Sequence, residues 1–321
     1  MLYQERHLQY RFSLAPKSHS RRGGDSPLQN IMLPQPLDLS LPDGAPLTPE
    51  TPYPAETVEE RGTPGQPNHW VTGTAQAWLS VYLPPHTTSR AALLIVPGGG
   101  YAGRAVDHEG HEVARWLLTL GIIGAVLHYR LPQGDALPAP LPLQDARDAL
   151  HLLRQRAGAW GLRANRVGII GFSAGGHLAS MTGTLLEPQE RPNFMILVYP
   201  VISMRDGITH DGSRTKLLGD TRTPELEARF STDENVDAHT PPTLLIHARD
   251  DVGVPLANTL RFDAALQAAD VSRETLLYER GGHGFSISRA KGESAQWPRG
   301  VAAWLSQQGF LTHTQSSQEN P

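Results

Sequence analysis

The chain has 321 residues, 39% of them hydrophobic, and a formal net charge of −4; that length and apolar content suit one large domain with a sizeable core. So weak a charge implies no strong electrostatic partner, and the basic stripe of a nucleic-acid binder is not evident; the lack of any cysteine excludes disulfides, thiolate metal sites and a cysteine nucleophile. No apolar run approaches the length of a membrane span, so neither nucleic acid nor membrane is expected as a partner.

In chain order, residues 1–30 are rich in Arg, Ser and Gly and hold no continuous apolar stretch. They read as a flexible leader or an over-long start, no signal peptide is expected, and the expected location is the cytoplasm. Residues 31–70 are dense in proline, from Pro34 to Pro67. Proline neither donates to a ladder nor sits in a helix interior, so this segment is expected to wrap the domain as irregular chain. The regular part, 71–312, opens with alternation of Leu79, Val81 and Leu83 against Ser80 and Tyr82, a strand pattern. Ala91 to Val96 is a continuous apolar run, as in a strand covered on both faces.

The spacing then predicts a helix over 109–120, a strand over 122–129 and a helix through Leu143, Ala146, Leu150 and Leu153, stopped near Gly161. A strand over 166–171 runs straight into a helix over 174–185, and 194–199 is the next strand. Residues 201–240 are polar, with short helical pieces at 214–218 and 223–230. Strands at 243–247 and 274–278 and helices at 256–268 and 297–311 complete the domain, and 313–321 is a polar tail. Strands alternating with helices predict an α/β protein with an open, mostly parallel central sheet and helices on both faces.

Gly171-Phe172-Ser173-Ala174-Gly175 is a G-x-S-x-G turn between a strand and a helix, which stands the Ser173 hydroxyl at the strand's carboxyl end as a nucleophile. The amide of Ala174 follows it directly. Gly98, Gly99 and Gly100 fill the loop after the buried 91–96 strand, where a second oxyanion donor belongs, and Gly99 and Gly100 are the candidates. Of fourteen histidines, His283 lies among glycines on the loop after the last strand, as the base of such a serine should. His177, four residues after Ser173, is expected to pack or hydrogen-bond near the site. Asp250 and Asp251 both sit on the loop where the orienting acid belongs. Tyr101 is a candidate substrate contact, with core packing as the alternative. Asp107 and Glu109 are expected to cap a helix start, and Arg130 to pair with Asp145 or another acidic residue. No metal-ligand spacing is present, His108 and His111 being only three apart, and no cofactor is called for.

Pro97-Gly98-Gly99-Gly100-Tyr101, Gly110-His111-Glu112, Tyr129-Arg130-Leu131-Pro132, the Ser173 turn, the Asp250-Asp251 loop and Gly281-Gly282-His283-Gly284-Phe285 together resemble bacterial α/β-hydrolases of the acetylxylan esterase and esterase-lipase type. These are related to the hormone-sensitive-lipase-like group. The resemblance covers roughly residues 75–310 and implies the α/β-hydrolase fold and a metal-free serine carboxylic-ester hydrolase with Ser173, His283 and Asp251. Asp251 is favoured over Asp250 because Asp251-x-x-Val254-Pro255 is similar to the acid loop of that fold. The implied substrate is a small short-chain acyl ester, with acetylated sugars or xylo-oligosaccharides as candidates. Pro97 stands where many members of the wider group carry histidine, and Arg249 puts a charge beside the acid loop where a small residue is usual. A peptidase resembling the prolyl-oligopeptidase type shares the order of these residues, but the stretch before Ala77 is too short for its propeller. A non-catalytic binding protein on the same scaffold is the remaining alternative.

Overall fold

A computed structural model of the chain describes residues 36–40, 55–63, 67–85, 87–132, 140–220 and 222–311. The leader read at 1–30 and the tail read at 313–321 lie outside these residues.

The elements in chain order are β1 (Leu37–Ser40), β2 (Thr57–Glu60), β3 (His69–Thr72), β4 (Trp78–Tyr82), β5 (Ala92–Val96), β6 (Arg104–Ala105), α1 (Glu112–Thr119) and β7 (Ile123–His128). There follow α2 (Leu141–Gln155), β8 (Val167–Phe172), α3 (Ala174–Thr184), β9 (Met195–Val198), α4 (Asp211–Leu218), α5 (Pro224–Phe230), β10 (Thr243–Ala248), α6 (Ala257–Ala268), β11 (Arg273–Tyr278) and α7 (Trp297–Gln307).

Eight strands share one sheet in the order β1-β4-β7-β5-β8-β9-β10-β11. Neighbours from β7 to β11 run parallel, while β4 is antiparallel to β7 and to β1. Parallel neighbours need long crossovers, which the helices supply, and both faces are thereby covered. Successive strand residues feed two cores: Leu94, Ile169 and Leu197 pack with α2, α3 and α6, while Ile95, Ile170 and Ile196 pack with α1 and α7. This is the α/β-hydrolase architecture. It brings the carboxyl ends of β5, β8, β10 and β11 to one rim of the sheet, where ligands of such sheets bind.

Several local expectations are corrected. The described parts of 31–70 are not irregular: β1 pairs with β4, and β2, β3 and β6 form a second, three-stranded sheet. These strands are short and free of proline, which flanks them instead. β4 alternates as read, but its second face is buried too: Ser80 bonds Asp38 and His128, and Tyr82 bonds His111. The helix read over 109–120 is a π-helical turn at Asp107–His111 leading into α1. The last helix ends at Gln307, and Phe310 beyond it stacks on Phe194 with ring centroids 4.0 Å apart.

Candidate active site

The turn from β8 to α3 is tight. Ser173 takes φ 53° and ψ −121°, a conformation that side chains seldom adopt and that a packed surround must hold. The surround is close: a Cβ on Gly175 would stand 2.2 Å from the Val96 carbonyl oxygen. Only glycine lets α3 start this near β5, and the Ser173 side chain is thereby aimed at the rim.

His283 reaches Ser173 from the loop after β11. Its Nε2 lies 2.9 Å from Ser173 Oγ, and its Nδ1 lies 2.7 Å from Asp251 Oδ2. A carboxylate only accepts, so Nδ1 carries the proton and Nε2 accepts from the serine hydroxyl. The ring leans edge-on against Tyr199, centroids 4.9 Å apart. The His283 side chain remains 30% exposed while that of Asp251 is fully covered.

Asp251 is held on every side. Its Oδ1 accepts from the amides of Gly253 and Val254 at 2.8 and 2.9 Å. Its Oδ2 also lies 3.2 Å from Nε2 of His247, whose Nδ1 is 2.7 Å from the Thr259 hydroxyl. Burial alone raises its pKa, but hydrogen bonds from His247, His283 and the Val254 amide outweigh this and hold the carboxyl well below the usual range. Asp250 does different work: Oδ1 accepts from the amides of Gly281 and Gly282 at 2.9 and 2.8 Å, which shapes the loop that carries His283. Arg249 turns to the surface and pairs with Glu279 at 2.9 Å, away from Asp251.

The glycine loop after β5 approaches Ser173 from the other side. Gly98 donates its amide to Glu109 Oε2 at 2.7 Å, which takes that amide out of use. Gly99 and Gly100 follow with φ 138° and 60°, positions that favour glycine. Among the described residues, the amides of Gly99, Gly100 and Ala174 donate to no protein acceptor. Tyr101 is only 1% exposed. Its hydroxyl lies 2.8 Å from His177 Nδ1, and His177 Nε2 lies 2.7 Å from the Phe230 carbonyl. The carbonyl accepts from Nε2–H, so Nδ1 accepts from the tyrosine, and both side chains brace the loop from inside. The tyrosine ring is packed into the core, and Tyr101 also lines a cleft beside the glycine loop.

The acids read as caps are not caps. Asp107 accepts from the backbone amide and ring of His69, tying β3 to the π-turn. Glu109 is buried and accepts from Gly98 and from the Tyr199 hydroxyl. Arg130 and Asp145 do pair, at 2.5 to 3.1 Å. Glu109, Tyr199 and His247 were not singled out as site residues from sequence. For His247, its place four residues before Asp251 was a usable signal; Glu109 and Tyr199 meet across 90 residues, which no local spacing reveals.

His210 also borders the site. Its Nδ1 accepts from the Ser213 amide at 3.1 Å, capping α4, and its ring lies 3.6 Å from where a Gly100 Cβ would stand. A cleft of about 590 Å³ opens beside the glycine loop, with Thr57, Thr72, Thr215, Lys216 and Asp220 among its lining. Among the described residues no helix is long and apolar enough to cross a membrane.

Comparison with known proteins places these features in a lineage. The sequence model of the BD-FAE family matches residues 79–266. The chain is 39% identical over 216 residues to an acetylxylan esterase of Xylanibacter ruminicola, covering 66% of this chain and 44% of that one. It is 29% identical over 222 residues to endo-1,4-beta-xylanase B of Butyrivibrio fibrisolvens, covering 65% of this chain. The chain thus spans 44% and 35% of the lengths of these curated relatives. Among solved structures, an acetyl ester-xyloside bifunctional hydrolase from Caldicellulosiruptor lactoaceticus superposes with a TM-score of 0.70 at 32% identity, covering 88% of this chain and all of that one.

Proposed function

From a chain that belongs to the BD-FAE family of α/β-hydrolases, we propose a serine carboxylic-ester hydrolase that removes short acyl groups, acetyl above all, from carbohydrate alcohols. The observation that carries the reading is the unbroken chain from Ser173 Oγ through His283 to Asp251, at 2.9 and 2.7 Å.

The steps follow from the atoms. Ser173 Oγ bonds to the ester carbonyl carbon as its proton passes to His283 Nε2. The carbonyl oxygen gains the charge and is held by the amides of Ala174 and of Gly99 or Gly100. Collapse breaks the bond to the alcohol, which leaves with the proton from His283. A water then gives its proton to His283 and attacks the acyl carbon; as the bond to Ser173 Oγ breaks, His283 returns the proton to Oγ and the carboxylic acid is released. Asp251, kept ionised by its hydrogen bonds, stabilises the imidazolium in both halves.

Two features support a polar alcohol. The cleft beside the glycine loop carries hydroxyls, a cation and a carboxylate, the groups that suit a sugar better than an acyl tail. Two of the relatives are an acetylxylan esterase and an acetyl ester-xyloside bifunctional hydrolase. The test is a panel of acetylated xylo-oligosaccharides and aryl esters of rising chain length, run with the unaltered protein and Ser173→Ala. We expect fastest turnover of acetyl esters and a loss on the order of 10⁴- to 10⁶-fold on substitution. Equal rates for the two proteins would refute the reading; faster turnover of long acyl chains would refute its substrate half.

A further inference from the structure

Glu109 is a buried acid that the mechanism above does not use. It sits in the π-helical turn at Asp107–His111 and is only 4% exposed. Such turns inside helices re-aim single side chains and gather at functional sites. This one turns the Glu109 carboxyl inward between two loops of the active-site rim. Oε2 accepts from the Gly98 amide at 2.7 Å and Oε1 from the Tyr199 hydroxyl at 2.9 Å.

Each donor leads to a different part of the machinery. Gly98 opens the glycine loop and lies directly on the nucleophile: a Cβ there would stand 2.8 Å from Ser173 Cβ and 2.6 Å from the Phe172 carbonyl oxygen. With the Gly98 amide committed to Glu109, the next two amides are left for the oxyanion. Tyr199 directly follows β9 with φ 37°, a strained position for a tyrosine. Its ring stands edge-on to His283 at 4.9 Å and to Phe285 at 4.7 Å. One carboxyl thus ties the wall behind the base to the loop that carries the oxyanion donors.

Resting on the esterase reading, we infer that Glu109 is a positioning residue that sets the oxyanion loop and His283 relative to each other through Gly98 and Tyr199. Two donors converge on one side chain, which must therefore accept at both ends. Glutamine retains this in part: its oxygen accepts from Gly98, and its amide donates to Tyr199, whose hydroxyl then reverses its role. Alanine removes both links and leaves two buried donors without partners.

The experiment measures kcat and KM for an aryl acetate per active site titrated with a fluorophosphonate, alongside thermal midpoints. The proteins are the unaltered chain, Glu109→Ala, Glu109→Gln, Tyr199→Phe and the Glu109→Ala/Tyr199→Phe pair. A misplaced donor or base slows chemistry more than binding, so Glu109→Ala should lose about 10- to 100-fold in kcat with KM within about threefold. Glu109→Gln should recover most of that loss, Tyr199→Phe should show a smaller loss of the same kind, and the pair should be no slower than Glu109→Ala alone. Normal kcat per titrated site in Glu109→Ala, with only a lowered midpoint, would overturn the inference, as would losses that multiply in the pair. If Glu109→Ala does not fold, normal kcat in Tyr199→Phe overturns it equally. An unaltered chain that neither hydrolyses esters nor takes the label sinks the esterase reading itself; variant effects in an active chain bear on Glu109 alone.

Discussion

Asp250 and Asp251 are chemically alike and adjacent, and their surroundings separate them. Asp251 is covered, accepts from two backbone amides and contacts two imidazoles. Asp250 accepts from the amides of Gly281 and Gly282 and never reaches the His283 ring. Asn at 251 keeps the size but presents an amide where His283 needs an acceptor, so the ring favours the wrong tautomer. We expect Asp251→Asn to lower kcat on the order of 10³- to 10⁴-fold, as such changes do in serine hydrolases. Asp250→Asn keeps an oxygen for the two amides and should cost less than about tenfold. A larger loss from Asp250→Asn than from Asp251→Asn would reverse these roles. Ser173, His283 and the Asp pair stand out in the sequence because each lies on the turn or loop that follows a strand whose apolar residues announce it. Glu109 and Tyr199 do not, because what matters in them is a contact between distant segments.

At the scale of elements, α3 connects Ser173 to the interior through His177. The ring is wholly buried between Tyr101 and the Phe230 carbonyl. Burial pushes its pKa down from 6.5 to about 4, with the Phe230 carbonyl opposing. Above pH 6.5 the ring is neutral both folded and unfolded, and its contribution to stability is fully present. As pH falls toward 4 the unfolded chain binds a proton that the folded chain refuses, so stability drops, by roughly 3 kcal/mol at most. Denaturant unfolding at pH 7, 5.5 and 4.5 should show this decline, and His177→Gln should show a shallower one from a lower starting point. An equally steep curve for the variant would assign the acid sensitivity elsewhere. The alternation of strand and helix from β5 onward was legible from periodicity, since continuous apolar runs and amphipathic helices carry their own signals. The strands β1 to β3 were not, since each has four residues among prolines, too few for a pattern. The π-turn was not legible either: periodicity marks a helical stretch but not a register shift of one residue within it.

Across the whole molecule, chemistry and cohesion lie at different depths. The proposed reacting groups line one rim of the sheet, while α1 and α7 seal the face opposite α2, α3 and α6. Trp304 of α7 is 2% exposed and leans on Phe194, ring centroids 6.1 Å apart; Phe194 enters β9 at the end of the strand far from Tyr199. Removing the indole opens a cavity that the close-packed sheet cannot collapse, which typically costs about 3–5 kcal/mol. No hydrogen-bond chain runs from Trp304 to Ser173, His283 or the glycine loop among the described residues. Trp304→Ala should therefore lower the unfolding midpoint strongly while leaving kcat per titrated active site within about twofold. The expected pattern is the reverse of that for Glu109→Ala, in which kcat falls per site. A proportional fall of kcat in Trp304→Ala would mean that the rim depends on the packing of the far face, and that the two layers respond as one.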